Sequence, residues 1–374
     1  MVPAASVPAA WPEKLAIAWR QTLGEGYSSP VVADGRVFVH SRTDPDEIVS
    51  AFDLATGKPL WSARYGSTFR KNQYATAMSK GPFSTPLVSG GRVFTLGTSG
   101  VLSSFDAATG QLKWRKTWPV DTSKLFTGTA MSPIIDSGLL IVHAGDDSNG
   151  AFRAFDPATG EEKWSLRGHG PGYASPIVRA IGGTRQLITM TDKAVVGLDV
   201  ARGALLWEIP FPAEWHENIV TPTMAGDVLV ISGTRKGTLG YRIEKSGASW
   251  KATEAWRNTD LPMYMSSPVA DGTMLYGFSS KRKGQLFCLD AATGRATWTA
   301  EGRGGTNAAL QIVGPNLLVL TTDGELLVVK RNPLKYEEVR RYKVADSETW
   351  GHPALAGQAI VIRDANSVAA WALK

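Results

Sequence analysis

A single cysteine, Cys288, stands in a chain of 374 residues, so no internal disulfide can form. No apolar run approaches the length needed to span a membrane as a helix. Neither sign of charge is concentrated: 40 Lys and Arg against 34 Asp and Glu leave a formal +6, scattered along the chain. No basic run is interleaved with aromatics, which argues against a nucleic-acid partner. The Gly-x-Ser-x-Gly elbow of serine hydrolases, the P-loop and the dinucleotide fingerprint are absent too. Residues 1–14, rich in Ala and Pro, have neither a charged start nor an apolar h-region. They are read as an N-terminal linker and not as a signal peptide.

What the chain has instead is repetition. The stretch Ala154-Phe155-Asp156-Pro157-Ala158-Thr159-Gly160, followed by Trp164, recurs with the same spacing. Its copies begin at Ala51, Ser104, Gly197 and Cys288 and end at Trp61, Trp114, Trp207 and Trp298. Alternating small and apolar residues lead into the Asp, as in a half-buried strand. Asp and Thr bond their own backbone, and Gly supplies the positive φ of a tight turn. The Trp falls on the returning strand, where its ring can pack against a neighbouring unit. Cys288 takes a position where other copies carry Ala, Ser or Gly, so it reads as a small buried residue and not a nucleophile.

A second signal precedes each turn: Ser or Thr, then Pro, then an aliphatic strand. It occurs at Ser29-Pro30, Thr85-Pro86, Ser132-Pro133, Ser175-Pro176, Thr221-Pro222 and Ser267-Pro268, with worn copies at Ala308-Ala309 and His352-Pro353. Pro at the first residue of a strand is where a sheet tolerates it. Each unit thus holds four short strands, A to D, and such units at this period are the signature of a β-propeller. The last unit runs out after strand C. The segment Leu15–Thr22, with Trp19, reads as the missing strand D, supplied by the start of the chain. Pairing the two ends removes the open sheet edges. The expectation is an all-β fold, a single eight-bladed propeller domain over 15–374 with four antiparallel strands per blade, present as a monomer.

The Ala-x-Asp-x-x-Thr-Gly-x-x-x-Trp unit resembles the repeat of the PQQ-like, quinoprotein-type propellers, and the resemblance covers nearly the whole chain. That family includes quinoprotein alcohol dehydrogenases and the BamB-type scaffold lipoproteins of outer-membrane protein assembly. The resemblance therefore implies a bacterial, periplasmic or otherwise extracytoplasmic protein. It implies fold and not function. The dehydrogenases are longer and carry an adjacent Cys pair beside the cofactor. This chain has one Cys, and PQQ binding is not expected.

In such a strand order the A–B and C–D turns share one face, and the B–C loops and D-to-A links share the other. The second face carries the irregularity, and all five histidines fall on or near it. His169, His216 and His352 lie in D-to-A links. His40 and His143 end strand B at one repeat position, where other units have Leu96, Ile231 and Ile362. His352 holds the slot before the repeat Pro that is otherwise Ser, Thr or Ala. Loops on rigid scaffolds are where active sites gather.

Two functions from different classes follow. In the first, a funnel on the loop-rich face binds a small-molecule or saccharide ligand and acts as a hydrolase or lyase. His216, Glu217 and His352 would be the acid–base groups. Arg70, Lys71, Tyr74, Lys80, Trp215, Asn307 and Trp350 would contact an anionic phosphoryl or uronate substrate. A divalent metal ion would be assembled across blades from His143, His169 and Asp146, since no His-x-x-His spacing exists. In the second, the protein is a non-catalytic scaffold resembling BamB. The same loops would dock protein partners and the histidines would be incidental.

Overall fold

The computed structural model describes residues 10–75, 78–213 and 217–374. The described residues form eight four-stranded antiparallel sheets, the arrangement of an eight-bladed β-propeller. The first sheet runs Val31–Ala33, Arg36–Thr43, Asp46–Asp53, Pro59–Gly66, each strand beside the next in sequence. Six more sheets repeat this meander. The eighth takes Ala354–Ala356, Ala359–Arg363 and Ser367–Ala372, then adds Ala16–Thr22 beside Ser367–Ala372. The expected strand exchange between the chain ends is therefore present, with Trp19 buried on the added strand.

Gln21–Ile219 form one compact unit, and the remaining described residues form the other. Each holds four sheets. Within each, the core lies between successive sheets and is built by strands B and C. In the first unit Phe38 and Val49 pack with Val93 and Phe105, and Phe94 and Leu102 with Leu140 and Phe155. In the second, Val228 and Val230 pack with Leu275 and Phe287. Outer strands alternate between half-buried and exposed, as Pro59–Gly66 does. That is the period-two pattern of a sheet's last, one-sided strand.

The repeated residues have specific work. Asp53 accepts hydrogen bonds from the Thr56 amide at 2.8 Å and the Thr56 hydroxyl at 2.7 Å, closing the turn. Just before each Asp the ladder shifts register, as between Ala51 and Phe52 or Ala154 and Phe155. Such a bulge bends the hairpin locally. The residue opposite each Trp is small: Ala51 faces Trp61, Ser104 faces Trp114, Gly197 faces Trp207 and Cys288 faces Trp298. This is why Cys288 occupies a small-residue slot.

The Trp then bridges to the following sheet. Trp61 donates from Nε1 to the Ala107 carbonyl at 3.1 Å, Trp114 to Pro157 at 3.1 Å and Trp164 to Val200 at 3.0 Å. Trp256 reaches Ala291 at 2.7 Å and Trp298 reaches Asn332 at 2.8 Å. Most of these acceptors directly follow the repeat Asp of the next unit. The Gly of that turn is needed twice over. Gly110 has φ +75°, and a Cβ there would sit 2.5 Å from the Trp61 ring. Trp207 is the exception, donating to Gln186 of its own sheet.

The Ser/Thr-Pro signal is a second bridge, at the other edge of the sheets. The Ser29 amide donates to the Thr85 hydroxyl, Thr85 to Ser132, and Ser132 to Ser175, at 3.0–3.2 Å. In the other unit the Thr221 amide donates to Ser267. The hydroxyl is thus required as an acceptor, and Pro starts the strand directly after it. The linker reading of residues 1–14 needs amending at its end. Trp11 is buried among Tyr342, Val344 and Trp371, and Tyr342 donates to the Pro12 carbonyl at 2.5 Å.

Candidate functional site

A fully enclosed cluster of polar side chains lies in the unit Gln21–Ile219, where a long B–C hairpin extends the first sheet. Glu47, Val49 and Ala51 share one strand face and are all buried. Alternation thus carries a carboxylate into the interior. Its oxygens are fully engaged. Oε1 accepts from the Thr98 amide at 2.9 Å and the Thr98 hydroxyl at 2.6 Å. Oε2 accepts from the Tyr65 hydroxyl at 2.7 Å and lies 3.3 Å from His40 Nε2, which is itself 2.9 Å from the Tyr65 oxygen. Arg42 stands 3.6 Å from Glu47 and donates to the Ser67 carbonyl at 2.5 Å. Burial works to raise the Glu47 carboxyl, but the bonds from His40, Thr98 and Tyr65 prevail and hold it at about 2. Burial, with the Glu47 charge, pushes the Tyr65 phenol well above its ordinary range.

Sequence reasoning missed Glu47, Arg42 and Tyr65. The signal was present: a Glu at even spacing from Val49 and Ala51 lies on the core face and requires partners. The arrangement is a closed knot. Thr98 belongs to the next sheet's B–C loop, so the carboxylate ties neighbouring sheets together.

His143 is also buried. Its Nε2 bonds the His169 carbonyl at 2.9 Å, and its ring stacks on Phe152 with centroids 3.9 Å apart. Burial lowers its pKa to about 4, so the ring is neutral at neutral pH. Asp146 folds its own loop: one oxygen accepts from the Ser148 amide and hydroxyl, the other from the Asp121 amide at 2.9 Å. Two of the three proposed metal ligands, His143 and Asp146, therefore have hydrogen-bond partners within the fold. Among the described residues no group of three or more His, Cys, Asp or Glu is placed to hold a metal ion.

Of the proposed substrate contacts, Arg70 is exposed and 3.5 Å from Asp121, and Lys80 pairs with Asp44. Tyr74 is 61% exposed in the same link. Lys71 lies beside Arg70. In the other unit Trp350 donates to Glu348 at 3.0 Å. Asn307 is buried, and its amide oxygen accepts from the Met265 amide at 3.3 Å. His352 keeps solvent-accessible surface yet is densely ringed by protein, and the loss of bulk water lowers its pKa. Glu217 is half-buried in the Gln21–Ile219 unit, and its charge, with that of Asp147, adds to the burial that raises Tyr173. Glu217 and His352 thus belong to different compact units. His216 and Trp215 lie outside the described residues.

The geometry is that of a regular scaffold whose polar loop residues mostly hold one another. The family model described as outer membrane protein assembly factor BamB matches residues 9–68, 45–300 and 253–370. The chain belongs to that family. The BamB-family protein of Burkholderia pseudomallei is 26% identical over 360 residues, 92% of this chain and 84% of that protein. That of Bordetella pertussis is 24% identical over 215 residues, 56% of this chain and about half (47%) of that protein's length. The crystal structure of BamB from Moraxella catarrhalis superposes with a TM-score of 0.66 at 16% identity, covering 96% of this chain and 97% of that one. A quinohemoprotein alcohol dehydrogenase from Comamonas testosteroni superposes with a TM-score of 0.68 at 14% identity, covering 96% and 77%. The BamB family and a redox enzyme thus share the fold, and only the site separates them.

Proposed function

We propose that the protein is a non-catalytic interaction scaffold of the BamB kind, docking protein partners of outer membrane protein assembly on the extracytoplasmic side. The observation that carries this reading is the family match, which runs from residue 9 to residue 370. The end-to-end alignment with the Burkholderia protein supports it. The catalytic reading has less behind it. The His143 ring nitrogen and both Asp146 oxygens have structural partners, and Asn307 is buried in a backbone contact. Dependence on PQQ is weaker still, since the one cysteine, Cys288, is buried opposite a Trp.

A photo-crosslinking amino acid at Tyr74, on the loop-rich side, tests the scaffold reading in cells against one at Leu112, an exposed residue of an outer strand. The expected outcome is an adduct between Tyr74 and an outer-membrane assembly component, with none from Leu112. The opposite outcome would be no adduct from Tyr74, together with purified protein that cleaves phosphoesters or uronate glycosides and loses that activity in His352→Ala. That pair of results would restore the enzyme.

A further inference from the structure

Many surface cations of this protein have a carboxylate partner, as Arg64 has Asp46, Arg185 has Asp136 and Arg242 has Asp227. One group does not. In the sixth sheet the B–C loop reads Ser280-Lys281-Arg282-Lys283-Gly284, and the following D-to-A link contributes Arg303. Arg282, Lys283 and Arg303 are exposed, and none has a side-chain hydrogen bond or ion pair among the described residues. Lys281 takes Asp260 at 3.2 Å. Neither Glu301 nor Asp323 comes within ion-pair distance of the other three.

The backbone beneath them is built and strained. The Arg303 amide donates to the Arg282 carbonyl at 2.9 Å, and the Gly304 amide to the Gly284 carbonyl at 3.0 Å. Gly302 packs so close that a Cβ there would lie 2.6 Å from the Arg282 Cβ. Arg282, Lys283 and Arg303 have φ of +53°, +59° and +73°. The other described non-Gly residues with positive φ, Asp34 and Ser137, each precede the Gly of an A–B turn. Elsewhere among the described residues the chain uses Gly for this conformation, which costs a side chain free energy. Cations held there against local preference point to a use for their charge.

The charge is also out of pattern. The B–C loops of the first, third, fourth, seventh and eighth units carry Asp44, Asp146, Asp192, Asp323 and Asp364. The fifth and sixth carry Arg235-Lys236 and Lys281-Arg282-Lys283 and no acid. Both basic loops border the same link. Gly237 lies against Asn258, and the Ser280 amide donates to the Pro262 carbonyl at 3.0 Å.

We infer that this two-loop knuckle docks an acidic segment of a protein partner, whose carboxylates pair with Arg282, Lys283 and Arg303. The inference deepens the scaffold reading and rests on it. A protein is favoured over a membrane because lasting membrane binding combines cations with inserted apolar surface. The exposed large apolar residues among those described, Ile17, Leu60, Tyr74, Leu112, Leu205 and Leu334, all lie outside both loops.

The test uses the full chain and a fluorescent poly-glutamate peptide as probe, with phosphatidylglycerol vesicles as a second arm. Two variants are compared with wild type. Arg282→Gly with Lys283→Gly removes two cations and relieves the backbone, so its melting temperature should equal or exceed wild type. Arg282→Gln with Lys283→Gln and Arg303→Gln removes all three charges at similar size. The wild type should bind the peptide, more weakly as salt rises, and each variant should bind roughly tenfold or more weakly at low salt. Vesicles should not be retained. A wild type that ignores the peptide, variants that bind it as wild type does, or retention of vesicles alone would overturn the inference. The crosslink from Tyr74 reports on the scaffold reading separately, so either result can fail without the other.

Discussion

His143 carries a clear pH signature. Its folded-state pKa of about 4 lies below the ordinary 6.5. Between those values the unfolded chain binds a proton that the folded chain does not, so stability falls as pH drops from 6.5 toward 4. The full loss is on the order of 3 kcal/mol. Glu47, at about 2 against 4.5, adds a second loss from pH 4.5 toward 2. His143→Gln keeps a donor for the His169 carbonyl and cannot titrate. Melting temperatures at pH 7 and pH 5 should therefore differ less in His143→Gln than in wild type, and equal slopes would refute the assignment. Little of this was legible in the sequence. The partner of His143 is a backbone carbonyl in another segment, and carbonyls have no sequence signature. Glu47 was legible in principle, through its spacing from Val49 and Ala51.

Among the elements, the hairpin with its Trp was the most legible because its residues are fixed by local chemistry. Asp, Thr and Gly make the turn, and a small residue must face the ring. The acceptor was not legible, since it is the main chain of another sheet. Trp164→Ala removes a half-buried ring and its bond to Val200, 3.0 Å away. The expected cost is about 3 kcal/mol, at the low end for a large aromatic because the ring is only partly covered. Denaturant unfolding measures it, and a value within error of zero would leave the bridge without energetic weight. The Ser/Thr-Pro signal was read correctly as a strand start. That its hydroxyl accepts from the preceding unit's amide became visible only in three dimensions.

For the whole molecule, the repeat count and the exchange of an end strand followed from counting strands against turns. The function did not follow, because the fold serves both the BamB family and redox enzymes. Deleting residues 1–24 removes both Ala16–Thr22 and Trp11. It should lower the melting temperature and promote association through the bared edge of Ser367–Ala372. Light scattering and thermal melting report it, and an unchanged monomer would show that the added strand is dispensable.

That added strand also imposes an order in time. Of the described strands, Ala16–Thr22 is synthesised first and its partner Ser367–Ala372 last. Earlier sheets can assemble from neighbouring segments as they appear, but the eighth must wait until the chain has been made as far as Ser367–Ala372. A chain broken off before Ser367 leaves the first strand with no partner and a free edge behind it. Closure of this sheet thus joins two strands far apart in the sequence: until Ser367–Ala372 has been made, the edge that Ala16–Thr22 will cover does not exist.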